Sequence, residues 1–88
     1  MPEIKKRKPS KEEIERMLKE WSPWEKEVST FDWYYDMEET CYIIEGEVNV
    51  KTDQGEVTIK AGDLVTFPKG LSCVWEVKKP IRKVYKFS

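Results

Sequence analysis

The sequence contains no histidine, one asparagine (Asn49), one glutamine (Gln54) and two cysteines, Cys41 and Cys73. Without His there is no nucleophile–base pair of the hydrolase kind, and no imidazole for zinc, copper, iron or nickel. Two cysteines are too few for a disulfide scaffold, so free, reduced thiols are expected. No apolar run approaches the ~20 residues of a membrane-spanning helix. An excess of one charge is missing too. Sixteen Lys and Arg stand against 17 Asp and Glu, for a net charge of −1. That balance gives no general attraction to nucleic acid or to an acidic membrane. There is no Gly-rich phosphate loop, no aromatic-basic RNA-binding pattern and no internal repeat. The opening Met-Pro-Glu-Ile-Lys-Lys-Arg-Lys lacks the apolar stretch of a secretory leader. The expectation is a cytoplasmic protein with neither nucleic-acid nor membrane partners.

What is present suits one small β-rich domain. Eighty-eight residues make a single domain, which buries about 60–65% of its unfolded surface, so every element must share one core. The chain is 39% apolar and carries four Trp, four Tyr and three Phe, enough to fill a small barrel. Charged residues reach 38%. Abundant Lys and Glu with few amides point to a thermophilic source.

Residues 1–9 read as a polar arm, with Lys5-Lys6-Arg7-Lys8 as a solvated basic run. Residues 10–88 read as the folded domain. Ser10 is a good N-cap, and Glu13 three residues later completes a capping box. Ile14, Met17, Leu18 and Trp21 then recur on one face, which predicts a helix over 10–21 packed against the sheet. Trp24 to Tyr35 predicts one or two strands, and Asp36-Met37-Glu38 a turn. Glu39 to Glu45 is the next strand, broken or bulged at Gly46. Glu47 to Thr52 alternates cleanly, and Asp53-Gln54-Gly55 turns the chain into Val57 and Ile59. Lys79-Pro80 reads as a turn before a last strand from Ile81 to Phe87. Short strands separated by turn signals argue an all-β sandwich or barrel.

The stretch from Gly62 to Trp75 organises the rest. Gly62 and Asp63 suit a tight turn, Leu64 to Phe67 is a short β-prone run, and Pro68-Lys69-Gly70 stops it. Its pattern, Gly62, five residues, Pro68, one residue, Gly70, two residues, Cys73, resembles the second cupin motif, whose last position is usually a metal-binding His. Glu39, six residues and Gly46 resemble the end of the first motif. From about Trp24 to Phe87 the wording is similar to small single-domain, DUF861-like cupins grouped with the cupin domain of (S)-ureidoglycine aminohydrolase. The resemblance implies an RmlC-like jelly-roll barrel with a short N-terminal helix, an interior site, and Glu39 and Cys73 facing inward.

Alternation gives the candidate site. Glu39 and Cys41 share a face of one strand, and Cys73 and Trp75 share a face of another. Strict alternation also puts Ile81, Lys83, Tyr85 and Phe87 together. Glu39, Cys41, Cys73 and Lys83 are the candidate catalytic residues, with Glu39 as acid or base and a cysteine as thiol. Trp33, Tyr35, Trp75 and Tyr85 are the expected lining, with Tyr34 the alternative in another register. An inward carboxylate needs a partner, and Lys83 is the nearest cationic candidate. Cys41 and Cys73 read equally as small core residues. The divalent ion of the family would need two His and a Glu from motif one and a His from motif two. Asp32 and Tyr34, or Trp33 and Tyr35, stand where the His pair would fall. Glu39, Cys41 and Cys73 are a poor substitute, so no cofactor is expected. Two functions remain open at this level: a small-molecule site inside the barrel, or a non-catalytic ligand-binding or oligomerisation module. A sheet edge left to protect suggests a homodimer.

Overall fold

In the computed structural model, which describes residues 3–87, the Ser10–Glu13 capping box is formed as the spacing predicts. Met1, Pro2 and Ser88, at the ends of the expected arm and domain, lie outside the described residues. The Ser10 hydroxyl accepts from the Glu13 amide at 3.2 Å, and the Glu13 carboxylate accepts from the Ser10 amide at 2.9 Å. Such a cap contributes about 1 kcal/mol to helix α1, Lys11–Glu20. Arg7 adds a two-pronged ion pair to Glu13 at 3.1 and 2.7 Å. These bonds, Arg7 first and the Ser10 amide second, hold the Glu13 carboxyl down at about 2.

Among the described residues, seven strands form one antiparallel sheet: β1 (Lys5–Arg7), β2 (Ser22–Lys26), β3 (Ser29–Tyr34), β4 (Glu39–Thr52), β5 (Gly55–Lys60), β6 (Leu64–Phe67) and β7 (Ser72–Phe87). The two long strands, β4 and β7, pair with each other and form the spine. On its other edge β4 takes β6 along its first half and β5 along its second. The free edge of β7 takes β3 over residues 72–77 and β2 over 81–85. Splitting each long strand between two short partners curls the sheet around one interior. The all-β barrel with an N-terminal helix is thus the observed fold.

Two expectations are corrected. Lys79-Pro80 is not a turn, because β7 runs unbroken from Ser72 to Phe87. Pro80 lies in the gap between the stretches that β3 and β2 cover, where its missing N–H disturbs no ladder on that edge. The basic arm is not a free tail. Lys5–Arg7 adds to the edge of β6, Lys6 donates to the Thr58 carbonyl at 2.9 Å, and Lys8 reaches the buried Asp63 at 2.7 Å. Burial pushes the Asp63 carboxyl up. The hydrogen bonds from the Lys8 ammonium and the Lys60 amide, with the charge of Lys8 and Lys6, outweigh that and hold it below the usual range.

Strand parity divides the residues between two cores. Cys41 and Ile43 of β4 point into the barrel, while Tyr42 and Ile44 point outward under α1. There they meet Met17, Ile14 and Trp21, so the helix covers an outer face of the sheet. Leu18, expected on that apolar face, is instead half exposed. Inward positions on β4 are 39, 41 and 43, then 48 and 50. The odd step between 43 and 48 is absorbed by bulges around Glu45–Val48.

Candidate functional site

Tyr35 follows β3 and is held at both ends of its backbone. Its amide donates to the Leu71 carbonyl at 2.9 Å, and its own carbonyl accepts from Gly70 at 2.7 Å. The Pro68–Gly70 turn therefore places the Tyr35 ring, which stacks on Phe67 with centroids 4.6 Å apart and planes 5° apart. Glu39 opens β4, directly between Phe67 of β6 and Phe87 of β7. Lys83 lies mid-way along the last part of β7, between Ile43 of β4 and Trp24 of β2.

These residues border a cavity of about 220 Å³ in the barrel, lined by Trp24, Phe31, Trp33, Tyr35, Glu39, Trp75, Lys83, Tyr85 and Phe87. Within it the Lys83 Nζ donates to Glu39 Oε2 at 2.6 Å, and both side chains are more than nine-tenths buried. The ammonium also lies 4.8 Å from the ring centres of Trp24 and Trp75 and 5.7 Å from that of Tyr85. The aromatic faces stabilise the cation that the carboxylate neutralises. The Tyr35 hydroxyl and the Trp75 indole N–H are both buried and make no hydrogen bond of standard geometry among the described residues, but the Trp75 side chain lies close enough to the Tyr35 hydroxyl and the Cys73 sulfur to oppose the upward push of burial on both. Burial first, then the charge of Glu39, raises the Tyr35 phenol, which keeps its proton.

Of the sequence candidates, Glu39, Lys83, Trp33, Tyr35, Trp75 and Tyr85 come together around this cavity. Tyr34 does not, and is largely exposed. Cys41 and Cys73 point into the barrel core but do not line the cavity. Three lining residues were not singled out in the sequence. Phe31 and Phe87 were legible by alternation, two positions from Trp33 and Tyr85. Trp24 was not, since only the pairing of β2 with β7 sets it beside Lys83.

Burial pushes the Cys41 thiol up to about 12, with the Glu39 charge adding to it and the Lys83 charge opposing it. Burial likewise takes Cys73 up to about 11. Both are thiols at neutral pH, a poor state for a nucleophile or a metal ligand. Each binds its proton more tightly folded than unfolded, where the ordinary value is 9.0. That contribution to stability is therefore complete below pH 9.0 and fades as pH rises toward 11 and 12. Urea midpoints measured from about pH 8 to pH 11 should fall, and Cys41→Val should flatten the fall. An unchanged slope in the variant would show that Cys41 does not titrate against folding.

The divalent ion of the family does not suit these donors. No group of three or more His, Cys, Asp or Glu side chains among the described residues is placed to hold a metal. Glu39, the one ordinary cupin ligand, already has the Lys83 ammonium at 2.6 Å.

Comparison with known proteins agrees with this architecture. A family model described as the EutQ-like cupin domain matches residues 15–85. The chain is 53% identical to a DUF861 family protein from Thermotoga maritima. That structure superposes with a TM-score of 0.91 over 98% of this chain and 100% of the other. The EutQ structure from Clostridium difficile gives a TM-score of 0.68 at 29% identity, over 74% of this chain and 52% of that one. The curated acetate kinase EutQ of Clostridioides difficile (strain 630) is 32% identical over 57 residues, 65% of this chain and 36% of that protein. The chain thus spans about a third of the length of that curated relative.

Proposed function

The chain belongs to the EutQ-like cupin domain family, and we propose that its barrel is a small-molecule site whose working groups are Glu39 and Lys83. One observation carries the reading: an ion pair at 2.6 Å, more than nine-tenths buried, bordering a cavity walled by aromatic rings. A buried ion pair is a weak route to stability, since apolar residues of similar size often do as well or better. A few convergent polar groups in an apolar pocket are what orient a ligand. Lys83 offers a proton and Glu39 accepts one, so acid–base chemistry on a bound substrate needs no third residue. Neither the acetate kinase activity named for the C. difficile protein nor ureidoglycine hydrolysis belongs to the proposal. This chain spans 36% of the former and has no His for the metal site of the latter.

A chemically diverse library, screened by thermal shift against the wild type and Glu39→Gln, tests the reading. Hits should raise the wild-type Tm and bind the variant about tenfold more weakly, with the variant's circular dichroism unchanged. The double variant Glu39→Gln/Lys83→Met removes both charges and serves if the single variant fails to fold. No wild-type hit, or hits indifferent to both variants, would overturn the proposal.

A further inference from the structure

Lys83 is the one buried lysine among the described residues. It lines the cavity, and its Nζ has a proton acceptor at 2.6 Å in Glu39 Oε2. Lys8 supplies a comparison within the same chain. It makes an ion pair of nearly the same length, 2.7 Å, to Asp63, but its side chain is 66% exposed and does not line this cavity. A lysine amine with a base in contact can lose its proton and attack a carbonyl carbon.

The surroundings of Lys83 Nζ suit a cation. The ring centres of Trp24 and Trp75 lie 4.8 Å away and that of Tyr85 5.7 Å away. Such faces stabilise whatever cation sits at that nitrogen. A protonated imine is one. It keeps a single positive charge on Nζ, so Glu39 and the rings act on it as they act on the ammonium. Converting one into the other therefore buries no new charge.

The rest of the cavity selects the carbonyl compound. Glu39 and Lys83 cancel, and the other lining residues are aromatic. A further charge on the ligand would lose its hydration without gaining a free counter-charge. Phe31 and Trp75 stack with centroids 6.1 Å apart, and Trp24 meets Trp75 edge-on at 5.8 Å. Such walls favour a flat, unsaturated skeleton. A volume of about 220 Å³ is room for a ligand on the order of ten non-hydrogen atoms.

We infer that Lys83 forms a protonated imine with a small, flat, uncharged aldehyde. Its proton passes to Glu39, and the freed amine attacks the carbonyl carbon, forming the C–N bond as the C=O π bond breaks. Glu39 gives its proton to the developing alkoxide and takes one from the attacking nitrogen, which leaves a carbinolamine. That second proton then goes to the hydroxyl, which departs as water while the nitrogen lone pair forms the C=N bond. Glu39 ends as the carboxylate facing the new cation, and no oxidant or reductant takes part. The inference rests on the small-molecule reading above and deepens it.

Benzaldehyde with sodium cyanoborohydride at neutral pH tests it. The hydride converts an imine into a stable benzylamine, which peptide mass mapping locates. At limiting aldehyde, Lys83 should be labelled about tenfold or more faster than Lys8. Glu39→Gln should slow labelling of Lys83 by about tenfold or more and leave that of Lys8 unchanged. With para-carboxybenzaldehyde, similar in shape but anionic, the ratio of Lys83 to Lys8 labelling should fall about tenfold. Lys83 labelled no faster than Lys8 in the wild type would overturn the imine, whatever the variant does. The diverse library then decides separately whether the cavity reading falls with it. Unchanged Lys83 labelling in folded Glu39→Gln would overturn the role given to Glu39. An unchanged ratio with the anionic aldehyde would overturn the restriction to uncharged compounds.

Discussion

Lys83→Met should destabilise the fold by about 3–5 kcal/mol, a large share of the 5–15 kcal/mol typical of a small domain. The cause is what the substitution leaves behind. Glu39 sits between Phe67 and Phe87 on neighbouring strands and keeps 5% of its side-chain surface exposed. Without the ammonium at 2.6 Å, a carboxylate faces aromatic walls with no counter-charge, and desolvation is no longer offset. The cation also contacts the faces of Trp24, Trp75 and Tyr85, and those contacts go with it. Removing both charges should cost far less. Glu39→Leu/Lys83→Met should return to within about 1 kcal/mol of wild type, or exceed it, because no uncompensated charge remains. Urea denaturation of Lys83→Met, Glu39→Leu and the double variant measures the coupling. Single-variant losses below about 1 kcal/mol would mean that each charge is adequately solvated through the cavity, as in exposed pairs. Ligand binding should vanish in the double variant however stable it is. That separation of stability from binding distinguishes a working pair from a structural one.

Gly46→Ala should be the other severe substitution, at about 3 kcal/mol or more. Gly46 has φ +100°, a conformation that L side chains rarely adopt. A Cβ there would lie 2.3 Å from the Pro80 carbonyl oxygen and 2.7 Å from the Ile81 Cα. Both are backbone atoms of β7, the longest strand, and neither can yield without moving Ile81 and the inward face that carries Lys83. Gly55 provides the comparison. It also has positive φ, at +125°, but a Cβ there meets nothing within 4 Å. Gly55→Ala should therefore cost only the conformational strain, about 1–2 kcal/mol. Chemical denaturation of the two variants separates strain from collision. Equal losses would show that the close approach of β4 and β7 is relieved cheaply.

The bulge explains a misreading as well as a phenotype. Lys79-Pro80 carries the residues of a turn, yet the chain continues straight through it in β7. Turn residues specify a local preference. The outcome depended on β4 lying alongside, with a glycine where the proline carbonyl comes close. Likewise the lysine-rich arm has the composition of a solvated tail. It becomes a strand because β6 presents an unpaired edge and Asp63 a buried carboxylate within reach of Lys8.

The sequence by itself determined what depends on neighbours along the chain. It specified the helix and its cap, the turns at Gly62 and at Pro68–Gly70, and the alternation that puts Glu39 with Cys41, and Lys83 with Tyr85, on shared strand faces; that Glu39 faces inward came from the motif resemblance. The local features follow from backbone preferences and from a side-chain period of two, which act within a few residues. Together with two motif remnants they were enough for an all-β barrel and for the pairing of Glu39 with Lys83. The tertiary structure alone decided how deep each inward residue lies. Cys41 and Cys73 have the right parity for the cavity, but the core closes over them. Trp24 has no signal of its own, and the pairing of β2 with β7 puts its ring beside the Lys83 ammonium. Parity gives a side chain its direction. Only the register between strands distant in sequence gives it its neighbours.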